Sequence, residues 1–274
     1  MTGLRLAAIQ LSPGSDPEQN LARASGLVAQ AAAAGAQLVV LPEAFLYRGP
    51  SQPEHLFAIE IPGKWTAALA NLAREQAIWL LAGSVFERIP DQEKVFNTSL
   101  VFDAMGQCRA RYRKIHLFEI HGETGKELSE ADYQQHGEEP VCVDTPWFSL
   151  GLSICFDLRF PELYRTLVRM GAHVLAVPSA FLLKTGRDHW EVLLRARAIE
   201  TQCYVIAANC LGASVTGVEG YGRSMIIDPW GQMIAQASDQ EGVIYADLDL
   251  TYLHKVRQRL PILRNCRLQD RFHG

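Results

Sequence analysis

The sequence is poor in the features that mark most specialised protein classes. No hydrophobic run reaches the length needed to span a bilayer, and the N-terminal MTGLRLAAIQLSPG has one Arg and a broken apolar run too short for a signal peptide. No Cys-x-x-Cys pair occurs among the six cysteines, and no spaced His/Cys pairs suit zinc. A disulfide framework is therefore not expected; reduced thiols in a cytoplasmic compartment are. Charge of one sign is also lacking: 26 Lys and Arg stand against 30 Asp and Glu, a formal net charge of −4. That balance carries no electrostatic footprint for nucleic acid or for an anionic membrane surface. There is no Pro/Ser-rich linker, and the one low-complexity tract is the Ala-rich stretch near residue 33. What remains is ordinary globular composition, 48% hydrophobic and 20% charged, over 274 residues.

Periodicity then predicts alternating elements. LRLAAIQLS reads as a strand, and residues 17–34 carry Leu21, Ala24, Leu27, Val28 and Ala31 at helical spacing, with Gly35 where a C-cap belongs. AQLVVLP is a near-continuous apolar strand, as expected when both faces are covered. The unit recurs: helices over 65–76, 161–170 and 189–201, and strands in IWLLAGSVFE, VFNTSLVFD, QCRARYRKIHLF, WFSLGLSIC, HVLAVPSA, CYVIAANC, GRSMIIDPWG and GVIYADLDL. The two halves echo each other. AAGAQLVVLPEAF (33–45) aligns without a gap on RMGAHVLAVPSAF (169–181), sharing Gly-Ala, an apolar strand, a Pro and the closing Ala-Phe. One α/β domain over residues 1–274, with helices outside, is the expected architecture.

Chemistry is carried by residues that leave strands. Cys155 follows the apolar WFSLGLSI and precedes a helix expected from Pro161. A thiol near a helix start meets the positive end of the dipole and free backbone N–H groups, which favour a thiolate and can hold an oxyanion. For any single cysteine, burial in a core is the commoner fate, and Cys108, Cys142, Cys203, Cys210 and Cys266 are read that way. Glu43 ends LVVLP and Lys114 ends ARYRK, and ligands of open α/β sheets collect at the carboxyl ends of strands. Taken singly, Glu43 could cap a helix or form a surface salt bridge, and Lys114 could be solvated beside Arg111 and Arg113.

As a set, LPEAF (41–45), YRKIHLF (112–118) and SICFDLRFPELYR (153–165) resemble the motifs of the nitrilase superfamily of carbon–nitrogen hydrolases. The resemblance runs on through HWEVLLRARAIETQCYV, GRSMIIDPWG and LDLTYLHKVRQRLP, so it covers essentially the whole chain. It implies a four-layer α-β-β-α sandwich that pairs into homodimers or higher homo-oligomers through its helical layers. The tail from Asp249, with Tyr252, Leu253 and Val256, is a segment that could reach a partner. It also implies roles: Glu43 as general base, Lys114 as oxyanion stabiliser with the Phe156 backbone N–H, and Cys155 as a nucleophile that forms a thioester. Phe156 stands where the family often has Tyr. The second glutamate of the family falls on Glu130, with Glu119, Glu123 and Glu127 as neighbouring acids. No cofactor and no metal is implied.

Within the superfamily the likeness is to the branch holding deaminated glutathione amidase and omega-amidase, more to the former. It implies hydrolysis of a small amide that carries carboxylates, with no nucleic-acid or membrane partner. Arg159, Arg187 and Phe181 are the candidate substrate-binding residues; TGRDHW departs from the shorter, apolar loop of animal relatives. Omega-amidase activity on α-ketoglutaramate, or nitrile hydrolysis, are the alternatives on the same machinery. A catalytically silent scaffold would be expected to have lost one of the three residues. A Cys–His enzyme finds no local signature selecting among His116, His121, His136 and His189. GVEGYGR (217–223) is read as a loop, not a dinucleotide cradle.

Overall fold

A computed structural model describes residues 4–50, 56–122, 125–215 and 217–267. Two mixed sheets form its centre. In the first, Leu4–Gln10, Leu38–Val40 and Trp79–Leu81 run parallel. They are flanked antiparallel by Gly242–Leu248 on one side and by Val95–Phe102 on the other, which also pairs with Val85–Arg88 and Cys108–Arg113. In the second, Ser149–Leu152, Val174–Ala176 and Tyr204–Ala207 are the parallel strands. Cys142–Asp144, Met225–Ile227 and Met233–Gln236 complete it.

Alternation along Leu4–Gln10 shows how the layers stack. Ala7 and Ile9 pack with Ala24, Val28 and Ala31 of helix α1 (Pro17–Ala33) and with Leu69 and Leu72 of α2 (Lys64–Glu75). Leu6 and Ala8 face the other way, into a core shared with Leu150, Val174 and Ile206 of the second sheet. That core continues to Leu163 and Leu167 of α3 (Pro161–Arg169) and to Trp190 and Leu194 of α4 (Leu183–Thr201). The order is helix, sheet, sheet, helix, the sandwich expected from the resemblance. A period of two on a strand permits this, since successive side chains point to opposite faces.

Local chemistry sets the ends. Asp16 accepts the N–H groups of Glu18 and Gln19 at 3.0 and 3.1 Å, Pro17 opens α1, and Gly35 follows its end at φ +84°. The repeat is structural as well. Leu38–Val40 and Val174–Ala176 are the corresponding strands, each preceded by a positive-φ glycine, Gly35 or Gly171. Ala36 N–H donates to Ala31 O and Ala172 N–H to Leu167 O, the same bond in each half.

Three expectations change. IWLLAGSVFE is two strands, Trp79–Leu81 and Val85–Arg88, because Gly83 turns at φ +54° between them. Helix α4 starts at Leu183 rather than near residue 189; its Gly186 lies against Tyr221, where an added Cβ would sit 2.5 Å from that ring. GVEGYGR is not a loop throughout: Glu219–Tyr221 pairs with Leu211–Ala213 as a hairpin. The tail helix α5 (Leu250–Arg259) buries Leu253 and Val256 against its own chain and is pinned by Gln202, whose Nε2 donates to Leu260 O at 2.7 Å. No described helix is long and apolar enough to cross a membrane.

Candidate active site

Glu43, Lys114 and Cys155 each leave a strand, and the two halves of the chain bring them together. Glu43 follows Leu38–Val40 in a turn whose Ala44 sits at φ +48°, with Ala44 N–H donating to Ser84 Oγ at 3.0 Å. Gly83 is required here, because a Cβ would lie 1.9 Å from Pro42 O. Lys114 stands one residue past Cys108–Arg113 and is held by its N–H to Asn97 O at 2.8 Å and its C=O from Gly137 N–H at 2.7 Å. Cys155 opens a short 3-10 turn, Cys155–Arg159, at φ +48°, with its N–H on Pro178 O at 2.9 Å. A non-glycine residue in this region costs about 1–3 kcal/mol, so the surroundings must enforce it. Phe156 follows in the first turn, where helical N–H groups lack intrahelical acceptors.

The Lys114 ammonium is fully buried. It donates to Glu43 Oε1 at 2.9 Å and to both Glu130 oxygens at 2.9 and 2.8 Å. Glu43 is only 4% exposed; its Oε1 also accepts from Asn97 Nδ2 at 2.9 Å, and its Oε2 accepts from Ala180 N–H at 2.8 Å. Glu130 is aimed by Phe118 N–H, which donates to its Oε2 at 2.7 Å. Cys155 opens onto the same cleft as Glu43 and Glu130, and its thiol feels their charges and that of Lys114. Sequence-predicted Glu43, Lys114, Glu130 and Cys155 are therefore one cluster. Glu119 is exposed beside His121, while Glu123 and the side chain of Glu127 lie outside what the structure describes.

Electrostatics follows from burial and charge count. Two carboxylates and one ammonium leave a net negative surrounding for the thiol. Burial first, then the Glu43 charge, push the Cys155 thiol well above its ordinary value, against the pull of Lys114. Burial alone would lower Lys114, but Glu130, Glu43 and Cys155 outweigh it and hold the ammonium well above its usual range. Burial raises Glu130, with Glu43 adding to it and Lys114 opposing. Burial and the neighbouring carboxylates thus favour the neutral thiol over the thiolate. One consequence is kinetic. A raised thiol pKa moves ionisation to higher pH, so kcat/KM is expected to stay flat within about twofold from pH 7 to 9. A tenfold rise across the ordinary thiol pKa of about 8.5 would show instead that free thiolate is the reactive form.

Above the cluster opens a cleft of about 960 Å³, counting the space that reaches solvent at its mouth. Tyr47, Phe86, Phe118, Tyr133, Phe156 and Phe181 give it an aromatic wall. Arg159 lies over the Phe181 and Phe156 rings at 5.1 and 5.6 Å, within reach of His189 Nδ1 at 3.2 Å. Phe181 is buried, its N–H held by Asn209 Oδ1 at 2.9 Å. Arg187 is corrected: it is exposed on the first turns of α4 and does not line the cleft. The sequence reading missed Arg48, which does line it and whose buried Nη1 has no hydrogen-bond partner among the described residues. Its one signal is position, in the segment that follows the Glu43 turn. Asn97 was missed too, being one polar residue in an apolar strand. Among the described residues, no histidine lines the cleft, and no three His, Cys, Asp or Glu side chains are grouped to hold a metal ion.

The carbon–nitrogen hydrolase family matches residues 5–258. The chain is 39% identical to omega-amidase NIT2 of Homo sapiens over 97% of its own length and 96% of that protein's. It is 40% identical to the deaminated glutathione amidase of Homo sapiens over 96% and 82%. The crystal structure of the C. elegans NitFhit protein superposes with a TM-score of 0.91 at 38% identity, covering 97% of this chain and 66% of that one. The chain spans 60% of the length of the C. elegans nitrilase and fragile histidine triad fusion protein, to which it is 39% identical. The chain belongs to the carbon–nitrogen hydrolase family. It is a hydrolase of amides, in the branch that holds the omega-amidases and the deaminated glutathione amidases.

Proposed function

We propose that the chain hydrolyses the amide bond of deaminated glutathione, releasing α-ketoglutarate and cysteinylglycine through a Cys155 thioester. Glu43 takes the thiol proton as sulfur adds to the carbonyl, then passes it to the departing amine. The oxyanion is met by Lys114 and by the Phe156 N–H. An ammonium has three N–H donors, and Lys114 spends all three on carboxylate oxygens. Glu130 holds two of them, so it is the partner that gives one up as negative charge builds on the substrate. Glu43 then takes a proton from water, which attacks the thioester and frees the acid.

The observation that carries the substrate is the pair of arginines, Arg48 and Arg159, on the walls of the cleft. Deaminated glutathione bears two carboxylates, one on each side of the scissile bond; α-ketoglutaramate bears one. Charge-assisted hydrogen bonds contribute about 1.5–3 kcal/mol each, roughly 10- to 100-fold in affinity. With Arg48→Leu and Arg159→Leu assayed separately, both are expected to lower kcat/KM for deaminated glutathione by that factor. Only one of them should do so for α-ketoglutaramate. Unmodified enzyme that turns over α-ketoglutaramate far faster than deaminated glutathione would replace this reading by omega-amidase activity.

A further inference from the structure

We propose that Asp157 is a positioning residue for this reaction: its carboxylate ties the turn bearing Cys155 to the chain on both sides of Lys114, and so sets sulfur against ammonium. The inference rests on Cys155 being the nucleophile.

Asp157 has no exposed surface. Its Oδ2 accepts from the Tyr112 hydroxyl at 2.6 Å and from Ile154 N–H at 2.8 Å. Its Oδ1 accepts from His116 N–H at 3.0 Å and faces His116 Nδ1 at 2.7 Å. Ile154 immediately precedes Cys155, while Tyr112 and His116 stand two residues before and two residues after Lys114. A single buried carboxylate therefore joins the two segments that carry the cation and the nucleophile. An ionised carboxylate only accepts, so His116 donates from Nδ1, whether the ring is neutral or charged. The ring is also fixed by stacking on Phe160, at 3.7 Å between centroids and 6° between planes.

The geometry at Cys155 explains why such a clamp is needed. At φ +48° the residue sits where an L side chain does not rest unaided. On one side its own N–H is anchored to Pro178 O; on the other, Asp157 closes the turn by holding Ile154 N–H. Released from Asp157, the turn can relax toward negative φ and swing the sulfur off the line to the carbonyl. A misplacement of about 1 Å can lower the rate about 100-fold. The substrate-contacting wall has other anchors, Asn209 for Phe181 and His189 for Arg159, so binding should be spared.

The test compares Asp157→Asn and Tyr112→Phe with unmodified enzyme, reading kcat and KM separately, the melting temperature, and the rate of Cys155 alkylation by iodoacetamide. Asp157→Asn keeps the shape but turns one acceptor into a donor that faces donors. Expected are a fall in kcat of about 100-fold for Asp157→Asn and about tenfold for Tyr112→Phe. KM should stay within about threefold, with alkylation slowed in parallel. Retention of kcat within about threefold in both variants overturns the proposal. So does a loss of kcat with unchanged alkylation, which would place the defect elsewhere. If Asp157→Asn does not fold, Tyr112→Phe decides by the same criteria. Activity surviving in Cys155→Ala would instead remove the nucleophile reading itself, an outcome distinct from normal Asp157→Asn kinetics beside a dead Cys155→Ala.

Discussion

Cys155→Ala is expected to turn over neither deaminated glutathione nor α-ketoglutaramate at a measurable rate, while keeping its fold. On the proposed thioester route, removing the Cys155 sulfur removes the covalent step. In enzymes whose residues act as a unit such losses run to about 10⁶-fold, and the remainder comes from binding and the oxyanion donors alone. The structural effect is small because Cys155 borders the open cleft, so the lost sulfur leaves no sealed cavity, and Ala retains the backbone bond to Pro178 O. For a chain of this size a change near 1 kcal/mol moves the melting temperature by roughly 2–4 °C. Intact-mass spectrometry during turnover should show an acyl adduct on the unmodified enzyme and none on the variant. Residual activity within about 100-fold of normal would end the thioester mechanism.

Lys114→Met should show a different balance, losing activity and stability together. The ammonium has no exposed surface and lies between two carboxylates at 2.8–2.9 Å. Without it, Glu43 and Glu130 become buried like charges with no counter-ion. Breaking a buried ion pair from one side costs about 3–5 kcal/mol, which for this chain length is on the order of 10 °C in melting temperature. Activity should fall by more than 100-fold, since one oxyanion donor alone is worth about 10²–10³. Adding Glu130→Gln to Lys114→Met removes one of the stranded charges. It should return part of the melting temperature and none of the rate. A Lys114→Met enzyme that melts like the unmodified one would show that the carboxylates are neutralised by another route.

Much of this site was legible before any coordinates because it is made of strand ends. An apolar strand that ends in a charged or thiol residue breaks its own pattern, as Glu43 and Cys155 do; Lys114 closes the polar strand Cys108–Arg113 and was singled out by the family motif. The repeat was legible for a related reason. A helix, a positive-φ glycine and a buried strand leave the same spacing wherever the unit recurs, as Gly35 and Gly171 show. Glu130 came from the family pattern rather than from its own surroundings, which offered four acids with nothing local to choose among them. Phe118 N–H and Lys114 make that choice in space.

Other features depended on contacts that no local window contains. Arg187 sits among polar residues beside the cleft in sequence, yet α4 begins earlier than its Thr185-Gly186 pair suggests and turns Arg187 outward. The glycine that weakens the helical signal is there because Tyr221 packs against it. Arg48 looked like an ordinary loop arginine until Val218 and Gly220 of the second half were placed against it. Asp157 looked like part of a motif; its four donors come from Tyr112, His116 and Ile154.

By itself, then, the sequence determined the alternation of strands and helices and the doubled unit, and its motifs pointed by resemblance to the family and to Glu43, Lys114 and Cys155. The alternation and the doubled unit are properties of spacing along a chain, set by side-chain periodicity and by which residue types tolerate a turn. Only the tertiary structure decided which arginines line the cleft, which carboxylates surround the buried Lys114, and which groups bond the turn at Cys155. These are distances between segments far apart in the chain, and they exist only once the two sheets have packed face to face.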